Sequence, residues 1–390
     1  MDRLAREYKA DIRRFSAFSH VLSLMYGQLS KALSLNEICD AARLHEPEWN
    51  RIRGATAPKR NTFSNANRTR DPAMAEALYW AMLEHLEALS PGFLGDRRLK
   101  GFLARLKRDV FAIDSTTLRL ALNCIDWARH RRKKAAAKLH MKLDLRSRLP
   151  SFAAIGSAGK HDCTQHYSLC RDLCDGDVLL ADRAYVDLPF LYDLSQRGVT
   201  FVLRDKENMV YNVVARRTHK NPRILSDEIV VMGHEGSYEK YPSRLRRVVA
   251  LVEVDGKDQI MSFITNNFDW SPRTIVELYR ARWAIETFFK ELKQTLQLTD
   301  FVGYNENAVK WQVWTALLTH LLIRFQRHVS RWGLSFSRLV GVIRSAIWIK
   351  KDLPGVLQLY GTASGPKQPR MVEVQLCFKG FGAAPGISMG

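Results

Sequence analysis

Acidic charge is what this sequence is short of. Forty Asp and Glu stand against sixty Lys and Arg in 390 residues, a formal charge of +20 at pH 7. That imbalance argues against an ordinary cytosolic enzyme and for a polyanionic partner. Nucleic acid comes first, because neutralising backbone phosphates releases counterions and drives binding. An anionic membrane is the rival surface. The sequence nevertheless lacks any apolar run of about 18 residues that could span a bilayer. Its start, MDRLAREYKADIRRF, is too charged for a signal-peptide core. A cytoplasmic, nucleoid-associated protein with no membrane role is expected. Cysteine is also sparse: six residues, at 39, 124, 163, 170, 174 and 377, form no Cys-x-x-Cys pair and exclude a disulfide framework. The segment HDCTQHYSLCRDLC, 161–174, gathers two His and three Cys. It reads either as a soft-metal set or as small core residues, with Cys163, Cys170 and Cys174 at near-helical spacing.

The chain is long enough for one large domain with appendages. Residues 17–30 predict an apolar-faced helix, and a break at 31–33 leads into a second one opened by Ser34 and Glu37, a capping box. Such a pair resembles a helix-turn-helix. Residues 51–70 are basic and poor in apolar periodicity, which predicts a loop or arm; a helix over 71–90 follows. Short apolar runs at 108–114, 138–156, 177–182 and 200–206 predict strands, with one helix over 161–173 and another over 186–198 closed by Gly198. Strands alternating with helices indicate an α/β fold around a mixed sheet. From 207 to 266 the pattern is β-rich, an expected all-β insertion, and long helices follow Ser271-Pro272 and cover 305–329. The expected organisation is a helical DNA-binding region with a basic arm (1–70), the first part of the catalytic core (71–206), the insertion (207–266), the second part of the core (267–335) and a C-terminal region (336–390).

Two of the predicted strands end alike: VFAI runs into Asp114 and VLLA into Asp182. An acid directly after four apolar residues is exposed at a strand's carboxyl end, where open α/β sheets place ligand sites. A third carboxylate sits in YRARWAIETFFKELK, 279–293. At about 100° per residue, Tyr279, Arg282, Glu286 and Lys293 fall within roughly 60° of one another, while Ile285, Phe288, Phe289 and Leu292 take a different arc. Each acid taken singly has an ordinary reading: a cap onto Ser115 and Thr116 for Asp114, a partner of Arg183 for Asp182, and a partner of Arg282 or Lys290 for Glu286. Three carboxylates that converge repel one another unless cations neutralise them. Mg²⁺ answers that need with oxygen ligands and retained waters, and two such ions ~3.5 to 4 Å apart clamp the attacking and leaving oxygens of a phosphodiester. Arg282 and Lys293 suit phosphate. Lys290 shares their stripe, and Arg204 and Lys206, at the end of a strand, are further candidates for DNA contact. The cluster ARHRRKK, 128–134, serves equally as a backbone contact or as a solvated loop.

With these residues the chain resembles bacterial insertion-sequence transposases of the DDE class, specifically insertion-sequence family four. The signature Tyr-x2-Arg-x3-Glu-x6-Lys is matched without a gap by Tyr279, Arg282, Glu286 and Lys293. FAIDSTT around Asp114 and LLADRAYVD around Asp182 are similar to the family's other two acid motifs, although Ala184 stands where the family usually has Gly. Residues 127–145 and ITNNF, 264–268, extend the resemblance over roughly 60–330. It implies an RNase H-like core interrupted by a β insertion between the second Asp and the Glu, which fits separations of 182 − 114 = 68 and 286 − 182 = 104 residues. It further implies Asp114, Asp182 and Glu286 as catalytic metal ligands, with Tyr279, Arg282 and Lys293 on end phosphates. Two Mg²⁺ ions, replaceable by Mn²⁺, would serve as cofactors. The implied activity cuts the terminal inverted repeats of the element and joins them to target DNA, through a homodimer on paired ends. Several such enzymes pass through a DNA hairpin, stacking a flipped base on a Trp of the insertion. Residues 207–266 have no Trp, and Tyr238 and Tyr241, in GSYEKYPSR, are the expected exposed substitutes. A nuclease without strand transfer and a DNA-binding repressor derived from a transposase are the competing readings.

Overall fold

In the computed structural model the described residues are 1–10, 15–52, 54–95, 103, 106–120, 124, 128–131, 134–157, 165–296, 298, 300–349 and 352–363. The N-terminal region is helical: α1 (Asp2–Glu7), α2 (Ala17–Ser30), α3 (Leu35–Leu44), α4 (Glu46–Asn50), α5 (Arg60–Thr69) and α6 (Ala73–Leu89). α2 ends on Lys31 in the left-handed conformation (φ 60°). The cap between α2 and α3 forms: Ser34 Oγ accepts from the Glu37 N–H at 3.3 Å, and Glu37 Oε2 accepts from the Leu33 N–H at 3.0 Å. Gly27 permits the close crossing, since a Cβ there would lie 2.5 Å from Ile38 Cδ1. The expected basic arm over 51–70 is not a loop at its second half, where α5 buries Phe63, Ala66 and Asn67. Apart from Phe63, which packs on Phe15 and His20, its fixing contacts are polar: His20 Nε2 meets Asn67 Oδ1 at 2.7 Å. An apolar-periodicity reading cannot see a helix held in this way.

The sheet contains β1 (Val110–Leu120), β2 (Arg129–Arg131), β3 (Lys134–Asp144), β4 (Leu149–Ser157), β5 (Val178–Ala181) and β6 (Thr200–Arg204). A one-turn α7 (His166–Leu169) precedes β5, and α8 (Leu188–Gln196) joins β5 to β6. β1, β5 and β6 are parallel neighbours, β3 runs antiparallel beside β1, and β4 pairs with the outer edge of β3. Gly198, at φ 73°, ends the turn after α8, and a Cβ there would meet the Asp175 carboxylate. One face of the sheet, with Ile113, Leu179, Phe201 and Leu203, packs on Phe190, Leu191 and Leu194 of α8. By strand alternation Ala112 and Asp114 turn to the other face.

The β-rich stretch supplies β7 (Tyr211–Arg216), β8 (Ile224–Met232), the one-turn helix α9 (Glu235–Tyr238), β9 (Leu245–Val254) and β10 (Lys257–Thr265). These strands do not stand apart: β10 pairs antiparallel with β6, and the order β6-β10-β9-β8-β7 continues the same sheet. Tyr241, expected at the surface, is 1% exposed, and its hydroxyl lies 2.9 Å from Ser195 Oγ. Tyr238 is 45% exposed.

After a Ser271 cap, α10 (Pro272–Ala281) and α11 (Trp283–Thr295) follow, and then the long α12 (Glu306–Val329). The helix expected across 279–293 is interrupted at Arg282. Both halves remain nearly continuous, since Arg282 keeps helical angles (φ −54°, ψ −31°). The chain's contacts divide it into two units, 1–322 and 323–390. Within the second, α13 (Phe336–Ala346) and α14 (Leu353–Gln358) bury Phe336, Leu339 and Leu357. Of the soft-metal segment, His161 and Cys163 lie outside the described residues. Cys170 is buried in the core, Cys174 is exposed, and His166 lies 3.2 Å from Asp187. Arg132 and Lys133 of the basic cluster also lie outside.

Candidate active site

The β1/β5 register pairs Val110 with Val178 and Ala112 with Leu180. The same offset brings Asp114 level with Asp182, which caps the short helical turn after β5. Each aspartate fixes one oxygen on its own backbone: Asp114 Oδ1 accepts from the Ser115 N–H and Asp182 Oδ1 from the Arg183 N–H, both at 2.8 Å. α10 and α11 deliver the remaining groups. Tyr279 donates its hydroxyl to Asp182 Oδ1 at 3.2 Å. Arg282 Nη2 donates to Glu286 Oε1 at 2.6 Å, while its Nη1 lies 3.5 Å from Asp114 Oδ2. One guanidinium thus joins the first and third acids, and one phenol touches the second.

Burial sets the electrostatics. It pushes the Asp114 carboxyl up to about 6, opposed by the Ser115 N–H and Arg282, with Glu286 and Asp182 adding to the rise. All three acids therefore share one local field. Burial also raises the Tyr279 phenol to about 12. It works against the Arg282 charge, but Tyr279, Glu286 and Asp114 more than offset it. Glu286 is open to solvent, its side chain 51% exposed. Among the described residues no three His, Cys, Asp or Glu side chains lie close enough to hold one ion together. The donors nevertheless suit Mg²⁺, which binds through one or two carboxylates and keeps several waters.

The other expected contacts divide. Lys290 is exposed on α11, and Lys293 is half-buried, its pKa lowered by burial and by Arg119. Arg204 is half-buried at the end of β6. Lys206 donates to the Val186 carbonyl at 2.8 Å, so its ammonium is engaged in the fold. Two supporting groups escape a sequence reading. Phe263 of β10 packs on Tyr279, with ring centroids 4.8 Å apart. Arg246, fully buried, makes two 2.8 Å bonds to Asp227 and also donates to the Asn267 and Trp270 carbonyls, just before α10. No local pattern marks either, because both act across long sequence separations.

No helix among the described residues is long and apolar enough to cross a membrane. Residues 105–322 match the family described as the transposase DDE domain. A chain of Sinorhizobium fredii described as a transposase is 26% identical over 271 residues, 68% of this chain and 74% of that one. A chain of Geobacillus stearothermophilus described as a transposase for insertion sequence element IS5377 is 28% identical over 241 residues, 60% of this chain and 63% of that one. Transposase InsG for insertion sequence element IS4 of Escherichia coli is 23% identical over 235 residues, 56% of this chain and 52% of that one. The matched family segment holds Asp114, Asp182, Glu286 and the tyrosine, arginine and lysines around them, and on that match the chain belongs to the transposase DDE family, a DNA transposase related to those of bacterial insertion sequences.

Proposed function

We propose that this transposase binds the ends of its element, cleaves them by metal-dependent phosphodiester hydrolysis and transesterification, and joins the freed ends to target DNA. The observation that carries the proposal is that Asp114 on β1 and Asp182, directly after the adjacent parallel strand β5, share the offset of the β1/β5 register, with Glu286 tied to Asp114 through Arg282. The order β4-β3-β1-β5-β6, with β3 alone antiparallel to its neighbour β1 and β4 antiparallel beyond it, supports an RNase H-like core. Asp114, Asp182 and Glu286 would hold divalent cations, Mg²⁺ with Mn²⁺ as a substitute. When bound, such ions activate water or a 3′ hydroxyl and neutralise charge on the scissile phosphate. The protein's own groups orient and balance. Tyr279 and the Ser115 and Arg183 N–H groups each occupy one aspartate oxygen and so fix both carboxylates in rotation. Arg282 offsets the mutual repulsion of Asp114 and Glu286. Lys290 and Lys293 lie beyond Glu286 on the same helix and supply phosphate contacts that hold the strand without reading it.

Residues 1–70 contribute to end recognition in this reading, and a homodimer pairs the two ends. Pre-cut element ends incubated with the protein, Mg²⁺ and a target plasmid test it. Joined products support a transposase, and cleavage of uncut ends with no joining at any time reduces the chain to a nuclease.

A further inference from the structure

The exposed surface of α5 is chemically one-sided. Arg60, Asn61, Ser64, Asn65, Arg68 and Thr69 are open to solvent, and residues 51–70 contain six Lys and Arg and no acid. At about 100° per residue Asn61, Asn65 and Arg68 fall within roughly 60° of one another, opposite the buried Phe63, Ala66 and Asn67. Paired amides read adenine and a guanidinium reads guanine in the major groove. The competing element, α3, exposes Glu37 and Asp40, with Arg43 on Asp40 at 2.9 Å, whereas on α5 Arg68 Nη2 donates at 3.1 Å to the neutral Asn65 Oδ1 and no acid is present. The acidic α3 face repels phosphate.

α5 is also rigidly mounted. Asn67 meets His20, Asn307 Nδ2 donates to the Arg68 carbonyl at 3.0 Å, and Trp311 Nε1 donates to the Arg70 carbonyl at 3.0 Å. The Arg70 guanidinium in turn donates to the Phe15 and Ser16 carbonyls. Beside the helix lies a cavity of about 520 Å³, lined by Ser34, Asn36, Arg60, Ser64, Asn67 and Arg68, together with apolar and backbone groups, and by no carboxylate. The first turn of α3 opens onto it. Asn67 is 3% exposed and lines the cavity, with its Oδ1 held by His20 Nε2 at 2.7 Å. The Arg60 guanidinium, with the Ser34, Asn36 and Ser64 side chains and no acid in the lining, suits an oxyanion.

We propose that α5 enters the major groove of double-stranded DNA, with Asn61, Asn65 and Arg68 on base edges, while the adjacent cavity holds a backbone phosphate of the same duplex. The inference rests on the reading of the chain as an end-binding transposase and names the element that recognises the end.

The test is selection from a random-sequence duplex library by the full chain, followed by fluorescence anisotropy on the selected duplex and on a scrambled one. Asn61→Ala and Asn65→Ala, both at exposed positions, each weaken the selected duplex on the order of 5- to 100-fold and relax one position of the selected sequence, with the scrambled duplex unaffected. Arg60→Ala weakens both duplexes alike and flattens the salt dependence by about one unit of slope. Asp40→Asn, on α3, leaves the selected sequence unchanged. An Asn61→Ala/Asn65→Ala double variant that selects the wild-type sequence with wild-type affinity overturns the assignment. If that variant and the wild type still cut DNA in Mg²⁺, only the role of α5 falls. A wild type that neither binds nor cuts DNA sinks the functional reading itself.

Discussion

Arg282 sits where two carboxylates need a cation, and only 6% of its side chain is exposed. The signature predicted a phosphate contact for it, but its guanidinium is turned onto Asp114 and Glu286. Arg282→Ala is therefore expected to lower cleavage on the order of 10- to 100-fold, the usual effect of losing a group that orients metal ligands, with little change in the salt dependence of DNA binding. Lys290→Ala gives the converse: binding weakens and the salt slope flattens by about one. Anisotropy against salt, run beside single-turnover cleavage, separates the two. His20 carries a different prediction. Burial first, then Arg70, hold its pKa down from 6.5 to about 3, with Asn67 opposing. The unfolded chain therefore binds a proton that the folded chain refuses between these values. Stability present above pH 6.5 is lost as pH falls toward 3, by about 1.4 kcal/mol per pH unit for this one group. Urea melts of His20→Gln against wild type across pH 4 to 7 should show a shallower loss in the variant, and parallel curves would contradict the assignment. At this scale the sequence was legible where chemistry breaks a pattern, as with an acid ending an apolar run at Asp114 and Asp182. It was silent on Arg282's partners, because spacing gives a side chain's face and not its contact.

Two elements show why the rest stayed hidden. α5 has only Phe63 and Ala66 as apolar inward residues and completes its buried face with Asn67, so no stripe marks it as a helix. Strands β7 to β10 alternate as strands should, but alternation does not say which sheet a strand joins; the β10/β6 pairing at Phe263 and Arg204 decides that. Tyr241 lies in a polar stretch and reads as exposed, whereas it packs against Tyr192 and Phe201. Tyr241→Ala should destabilise the fold by about 3 to 5 kcal/mol, and Tyr241→Phe by about 1 kcal/mol through the lost Ser195 bond. This leaves Tyr238 as the testable stacking residue for a hairpin intermediate. Denaturing gels of end-labelled DNA should show a species of doubled strand length that weakens in Tyr238→Ala, and an undiminished species would exclude that role. Arg246 links the inserted strands to the site, since it fastens the carbonyls that lead into α10. Arg246→Met removes both short bonds from the buried Asp227, leaving Arg217 3.9 Å away, and should cost about 3 to 5 kcal/mol, read as a lowered urea midpoint.

Across the whole molecule, a charge of +20 and the transposase DDE match over 105–322 agree on a DNA enzyme. The mixed α/β sheet was legible from strand and helix alternation. The junction between the two compact units at 322/323 was not, because it falls inside α12, one continuous helix from Glu306 to Val329. Net charge implies that binding to any duplex weakens steeply with salt, and it says nothing about which bonds are cut. The role proposed for Asp114, Asp182 and Glu286 is metal-dependent cleavage, with end binding carried by other residues. Its most direct test is Mg²⁺-dependent cleavage of DNA carrying the element's own ends, measured for Asp114→Asn, Asp182→Asn and Glu286→Gln at protein concentrations that saturate binding. No detectable cleavage is expected from any of the three, with end binding within about two-fold of wild type, far below the tenfold that 1.4 kcal/mol would represent. Near wild-type cleavage by any one of them, in Mg²⁺ and at saturation, would contradict that role.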